Sequence, residues 1–145
     1  MMDAAMIAPC GLDCALCERF LQAQNPCRGC NGPEDCKPDC CRIRCAIVRC
    51  GRRGEDAFCD ACDRYPCGDI LEKEIRYSNA YPMVDTPMGN LACIRMHGME
   101  RFLEAERTRW TCPDCGGIIC VHTGRCSGCG AAFTTRRPAR ADAEE

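Results

Sequence analysis

Cysteine constrains this chain more than any other residue. The sequence has 19 cysteines among 145 residues, well above the level that marks a cysteine scaffold. Large apolar residues are few: the chain has 1 tryptophan, 3 tyrosines and 4 phenylalanines. Because so short a chain buries only a modest core, we expect cross-links through cysteine to supply part of its stability.

The N-terminal sequence bears on the kind of cross-link. MMDAAMIAPCG has neither a basic region nor the apolar run of a signal peptide, and no segment approaches the roughly 20 apolar residues of a membrane span. We therefore expect a cytoplasmic protein without a membrane partner, in which thiols stay reduced. Closely spaced cysteines then indicate metal sites rather than disulfides, and the odd cysteine count agrees.

The strongest single motif occupies residues 112–130, CPDCGGIICVHTGRCSGCG. Its two C-x2-C pairs, with a glycine after each, predict four thiolates around one ion, a closed tetrahedral site without an open position for catalysis. We predict a β zinc ribbon whose strand contains IICVH, with iron as the competing metal. Cys120 and His122 are interpreted as packed strand residues rather than ligands. The predicted ligands are Cys112, Cys115, Cys126 and Cys129.

The N-terminal half offers more thiols than one site needs. We predict that several Zn2+ ions bind there, but the spacing leaves the division of ligands between sites open. Cys36, Cys40, Cys50 and Cys93 are interpreted as small buried apolar residues. The predicted metal ligands of this half are Cys10, Cys14, Cys17, Cys27, Cys30, Cys41, Cys45, Cys59, Cys62 and Cys67.

The opening motif PCGLDCALC, residues 9–17, allows a different cofactor. Its C-x3-C-x2-C spacing is that by which radical enzymes using S-adenosylmethionine hold an iron–sulfur cluster. The chain is too short for the α/β barrel of such an enzyme, but a fourth cysteine can complete an electron-transfer cluster. An iron–sulfur or redox protein is therefore the alternative, and a reactive thiol at Cys45 or Cys50 is a third possibility.

Two short helices are predicted in the N-terminal part. Asp13 can cap a helix over residues 14–24, which places Cys14 and Cys17 on one face. Residues 41–51 form the second helix, again with one cysteine face, and the glycine at its end is a plausible stop.

A longer helix is predicted after the third C-x2-C motif, ending near residue 77. Leu71 and Ile75 are one turn apart and are expected to pack inward. Residues 78–90 contain two prolines and no apolar period, so they are predicted to form a loop.

Residues 90–110 predict a helix that links the two halves of the chain. Asn90 can cap this helix, and Gly98 can break it. Trp110 follows at its end, where packing against the predicted ribbon is favoured over stacking on a nucleic-acid base.

Four motifs taken together carry a family resemblance. CGLDCALC, CRGC, CRIRCA and CDACDRYPC follow one another in the order of a CGLxCxxC, CxGC, CxIxxCA and CxxCxxxPC pattern, although CRIRCA is one residue shorter than CxIxxCA. The chain resembles, over residues 6–132, the prokaryotic cysteine-rich family catalogued as domain of unknown function 3795. The resemblance implies a small zinc-binding protein and implies no reaction. Cys36, Cys40 and Cys50 depart from the family's pattern.

These patterns predict a small α+β protein stapled by metal. Its divisions are an irregular, short-helical, cysteine-rich domain (1–77), a linker and connecting helix (78–109), the zinc ribbon (110–134) and a disordered tail (135–145). The net charge of −2 does not indicate a general nucleic-acid binder. A basic segment, residues 42–53, which begins with Arg42 and ends with Arg53, is the candidate contact for a protein or nucleic acid. We expect a non-catalytic binding or adaptor module.

Overall fold

The computed structural model describes residues 3–32, 34–39, 45–47, 50, 58–81 and 85–133. Across these ranges, no helix combines the length and the apolar character that a membrane crossing requires. Short 3-10 turns lie at Ala4–Met6, Cys14–Leu16, Glu34–Cys36 and Cys59–Ala61. The α-helices that lie wholly within these ranges are α1 (Glu18–Leu21), α2 (Gly68–Ala80), α3 (Pro87–His97) and α4 (Met99–Trp110).

The prediction of an α+β fold with a C-terminal β zinc ribbon is wrong. After α4 the backbone makes only isolated antiparallel bridges, and none of them extends into a strand or sheet within residues 111–133. Five glycines lie between residues 116 and 130, and the tight turns around them leave too few consecutive residues to pair. The bridges join Thr111 to Ile118, Ile119 to Cys126 and Arg125 to Ala132.

The helix predicted over residues 14–24 is only partly correct. Asp13 does cap it, accepting a hydrogen bond from the Ala15 N–H at 3.0 Å. The backbone of Cys17 is extended, however, with φ −79° and ψ 139°, so the 3-10 turn ends there and α1 begins separately at Glu18. Cys14 and Cys17 therefore lie on a closed C-x2-C turn rather than on one helix face.

Helix α2 faces inward with a different side from the one predicted. Leu71 and Ile75 are 42% and 62% exposed, so the prediction that they pack inward is wrong. The side towards the core carries the fully buried Ile70 and, at helical spacing, the half-buried Lys73 and Tyr77. A hydrophobic pattern could not find this face, because α2 lies against a surface rich in thiols.

Helices α3 and α4 replace the single linking helix. The break at Gly98 is confirmed: its φ of +88° is in the region that favours glycine. The cap is not Asn90 but Thr86, whose hydroxyl accepts from the Gly89 N–H at 3.1 Å. Asn90 lies inside α3, buried, and its side chain donates to the Gly11 carbonyl at 2.8 Å. The predicted loop is correspondingly shorter at both ends.

Trp110 packs where the N- and C-terminal parts of the chain meet. It is 1% exposed, and its apolar cluster includes Leu16 from the N-terminal part and Ile119 and Val121 from the C-terminal segment. The Val121 N–H also donates to the Leu16 carbonyl at 3.1 Å. The packing interpretation of Trp110 is thus confirmed, and its ring is not accessible to a base.

The helix predicted over residues 41–51 lies mostly outside the described residues, as do the basic segment of residues 42–53 and the tail of residues 135–145. The division into domains stays a prediction.

Candidate metal centre

Four cysteines in the C-terminal segment form a preformed ligand group. Their sulfur atoms all lie within 4.8 Å of one another, and among the described residues no other group of three or more Cys, His, Asp or Glu side chains is so close. The Sγ–Sγ distance is 3.8 Å between Cys112 and Cys129, and 3.5 Å between Cys115 and Cys126. These separations exceed the roughly 2.05 Å of a disulfide. They match the roughly 3.8 Å between sulfurs placed tetrahedrally about 2.3 Å from one ion. The group can therefore bind a metal ion.

The two C-x2-C turns place these sulfurs through the same backbone geometry. Gly116 and Gly130 follow the second cysteine of each turn with φ of +78° and +79°, as the matching glycines predicted. Each glycine N–H donates to the carbonyl of the first cysteine of its turn, Cys112 at 2.9 Å and Cys126 at 3.0 Å. Both turns therefore present two thiols to one point.

Two further glycines let the backbone approach the sulfurs. A Cβ atom added at Gly117 would lie 3.0 Å from the Cys126 Sγ and 3.2 Å from the Cys115 Sγ. One added at Gly128 would lie 3.1 Å from the Cys115 Sγ. The N–H groups of Gly117 and Gly128 donate to the sulfurs of Cys115 and Cys126, each at 3.3 Å. Side chains at these positions would crowd the ligand atoms.

The electrostatics of the group favour a bound cation. Hydrogen bonds from the backbone N–H groups of Cys129 and Gly128 lower the pKa of Cys126 to about 6. At Cys115 the Gly117 N–H also lowers the pKa, but protons shared with the neighbouring sulfurs outweigh it and raise the pKa to about 11. Once one thiol ionises, its neighbours lose their protons less readily, since like charges repel. A cation at the centre removes that repulsion.

The group lies at the edge of the Trp110 cluster. Cys112 and Cys126 are buried and belong to that cluster, whereas Cys115 and Cys129 are exposed. Cys120 is 4% exposed and stands outside the ligand group, as does His122. Four thiolates fill a tetrahedral coordination sphere, so this arrangement is suited to holding an ion rather than to reacting through it.

Five cysteines of the N-terminal half surround one cavity of about 90 Å³. The Cys30 N–H donates to the Cys14 Sγ at 3.5 Å, which joins two of the predicted motifs. The carboxylate of Asp13 also lines the cavity; the side chain is 6% exposed, and its Oδ2 has no hydrogen-bond partner among the described residues. Burial raises the pKa of Asp13 to about 6. The five cysteines are Cys10, Cys14, Cys17, Cys27 and Cys30.

Helix α2 contributes Lys73 and Tyr77 to the same cavity. The Lys73 Nζ donates to the Cys45 Sγ at 3.3 Å. Burial opposes the lysine's charge, but the nearby sulfurs of Cys10 and Cys45, together with the hydrogen bond to Cys45, outweigh burial and raise the pKa of Lys73. Cys45 itself lies on a neighbouring, more open cavity that Lys73 also lines. Lys73 therefore lines both cavities.

Tyr77 is held in place by His122. The tyrosine Oη lies 3.1 Å from the His122 Nε2, and the histidine Nδ1 accepts from the Glu18 N–H at 3.2 Å. Because Nδ1 is an acceptor, the neutral imidazole carries its proton on Nε2, facing Tyr77. Burial lowers the pKa of His122, in keeping with a neutral ring. His122 thus ties the C-terminal segment to α1 and α2.

The remaining predicted ligands lie in a second, smaller group. Cys59, Cys62 and Cys67 line a cavity of about 30 Å³ together with Cys50. The turn at Cys59–Ala61 repeats the one at Cys14–Leu16, and Cys62 has the same φ and ψ as Cys17. Cys50 is only partly buried, and its isolated position in the sequence gave no signal that it lies with these three cysteines.

Two other thiols have distinct surroundings. The Cys36 Sγ accepts from the Arg28 N–H at 3.3 Å, and Cys93 packs against the Phe102 cluster. The predicted ligand Cys41 and the neighbouring Cys40 lie outside the described residues.

Comparison with protein-family models, with curated proteins and with solved structures gives no match.

Proposed function

We propose that this protein is a zinc-binding, non-catalytic binding or adaptor module. Its C-terminal cysteines hold one structural Zn2+ ion, and cysteines of the N-terminal half bind additional metal. The spacing of the sulfurs of Cys112, Cys115, Cys126 and Cys129 carries this proposal, because thiols at tetrahedral separation form the ligand set of structural zinc sites.

The position of this group supports a structural role. Two of its cysteines belong to the Trp110 cluster, which also contains Met6 and Leu16. Metal binding would therefore stabilise packing between distant parts of the chain, and binding free energy becomes folding free energy in such sites. Thiolate ligands require reduced cysteines, so we propose a cytoplasmic location. We also propose that the chain belongs to the family catalogued as domain of unknown function 3795, a membership that identifies no partner.

Metal content of matched variants tests the zinc site. The double variant C115S/C129S removes two exposed ligands without enlarging the core, and C93S is the control, since Cys93 lies outside the ligand group. Native mass spectrometry of the full chain should show one Zn2+ fewer in C115S/C129S than in the wild type and in C93S. Equal zinc content in all three proteins would refute the proposed site.

A further inference from the structure

The two thiol-rich parts of the chain differ in how closely their sulfurs approach. The C-terminal sulfurs all lie within 4.8 Å of one another, and the five around the N-terminal cavity do not form such a group. They line instead, with other residues, a space of about 90 Å³. The C-terminal cysteines are therefore close enough to bind one ion, whereas the N-terminal cysteines line a larger cavity.

That difference separates two kinds of metal centre. A single tetrahedral ion holds its sulfurs roughly 3.8 Å apart, given metal–sulfur bonds of about 2.3 Å. A cluster of several iron atoms keeps its cysteine sulfurs further apart, because iron and bridging sulfide lie between them. Four cysteines are sufficient for such a cluster, and the cavity offers five.

One cation on the cavity, Lys73, also suits a cluster. Thiolates and sulfide make such a centre anionic, and an anion in a buried place needs a compensating cation. Lys73 lines this cavity, and its ammonium group donates to the Cys45 Sγ at 3.3 Å. The backbone N–H of Cys30 already donates to the Cys14 Sγ, as N–H groups do to cluster sulfurs.

We propose that this cavity binds an iron–sulfur cluster through four of the cysteines Cys10, Cys14, Cys17, Cys27 and Cys30, with Lys73 balancing its charge. This cluster site is separate from the C-terminal zinc site and goes beyond the function proposed above. Zinc then holds the C-terminal segment, and iron and sulfide occupy the N-terminal cavity.

Iron and sulfide analysis of the full chain tests the proposal. The protein is purified without oxygen and then supplied with ferrous iron, ferric iron and sulfide, the ferric iron providing the oxidising equivalents of the cluster. We expect iron and inorganic sulfide in equal amounts, and absorption near 400 nm. The variant C10S/C14S should lose both, whereas C115S/C129S should keep them.

Three results would overturn the cluster. One is wild-type protein without bound sulfide after this treatment. Another is the same iron and sulfide content in C10S/C14S as in the wild type. The third is Zn2+ at the cavity, seen as zinc that C115S/C129S retains and C10S/C14S loses. Loss of zinc from C115S/C129S reports on the proposed function alone, so the two proposals fail separately.

The lysine is tested by K73M, with R76M as the control because Arg76 is an exposed cation on the same helix. Partners of metal ligands typically contribute 10- to 100-fold in affinity. We therefore expect K73M to release its iron at least about 10-fold faster to a chelator, and R76M to match the wild type. Equal rates for K73M and the wild type would refute the role of Lys73.

Discussion

The packing of Leu16 against the C-terminal segment allows a test of whether the two halves of the chain stabilise each other. Leu16 is 2% exposed and shares its cluster with Trp110, Ile119 and the candidate ligand Cys126. Replacing it with alanine removes buried methyl groups and leaves a cavity beside the candidate metal site. Such substitutions cost about 2–5 kcal/mol.

This loss of free energy should increase the rate of zinc release as well as lower the free energy of unfolding. If zinc leaves through opening of this cluster, a loss of about 2 kcal/mol corresponds to roughly 30-fold more opening. The control is L71A, which removes the same side chain at a position that is 42% exposed, and it should change stability by less than about 1 kcal/mol.

Two assays follow the same cluster. The chain has a single tryptophan, Trp110, so its fluorescence during denaturant unfolding reports directly on this packing. Zinc release to a chelator reports on the ligand group. We expect L16A to lower the unfolding midpoint and to release zinc faster than L71A and the wild type. Release from L16A at the wild-type rate, with an unchanged fluorescence midpoint, would refute the shared core and favour an independent C-terminal unit.

Three further predictions concern single side chains. G117A should weaken zinc binding about 10-fold, because its methyl group would lie 3.0 Å from the Cys126 Sγ, and changes beside metal ligands typically lower affinity 10- to 100-fold. G68A is the control, because a Cβ atom at that position has no atom within 4 Å. Equal zinc affinity of the two variants in a competition titration would contradict the crowding. His122 should titrate below its ordinary pKa, because burial favours the neutral ring, although the charge of Glu18 opposes this effect. The side chains of Tyr77 and Tyr81 also lie against the ring. The contribution of the neutral ring to stability is therefore present above pH 6.5 and lost as the pH falls below that value. A proton NMR titration of the chain's two histidines, with H122Q to assign the signal, checks this, and a midpoint above 6.5 would contradict it. R109M should lower the free energy of unfolding by about 1–3 kcal/mol, because Arg109 is 4% exposed and its removal leaves Asp85, which is 23% exposed, without this partner. A denaturant midpoint equal to that of R95M, which removes a 61% exposed cation, would contradict it.

Local signals in the sequence predicted the features that depend on neighbouring residues. Asp13 caps its turn because the carboxylate reaches an N–H two residues ahead, and Gly98 breaks the helix because only glycine readily adopts its φ. The four C-terminal cysteines come together because each C-x2-C turn fixes two sulfurs with its own hydrogen bonds.

Features that depend on contacts between distant segments were missed. The inward face of α2 carries Lys73 and Tyr77, and apolar periodicity pointed to Leu71 and Ile75 instead. Lys73 and Tyr77 follow Ile70 at helical spacing, so the inward face does have a helical period. Two of its three residues are polar, and for that reason a search for apolar residues missed it. The prediction of a zinc ribbon was wrong for a related reason. The alternation in IICVH predicts a strand, but the surrounding turns at glycine prevent a strand from extending beyond isolated bridges.

The zinc coordination shell tests the central claim most directly. X-ray absorption at the zinc edge, on full-length protein carrying one Zn2+, reports the identity and distance of the atoms bound to the metal. The C-terminal group predicts four sulfur atoms at about 2.3 Å and no nitrogen or oxygen neighbours. A shell containing nitrogen or oxygen, or the same shell in C115S/C129S, would contradict the assignment of the metal to Cys112, Cys115, Cys126 and Cys129.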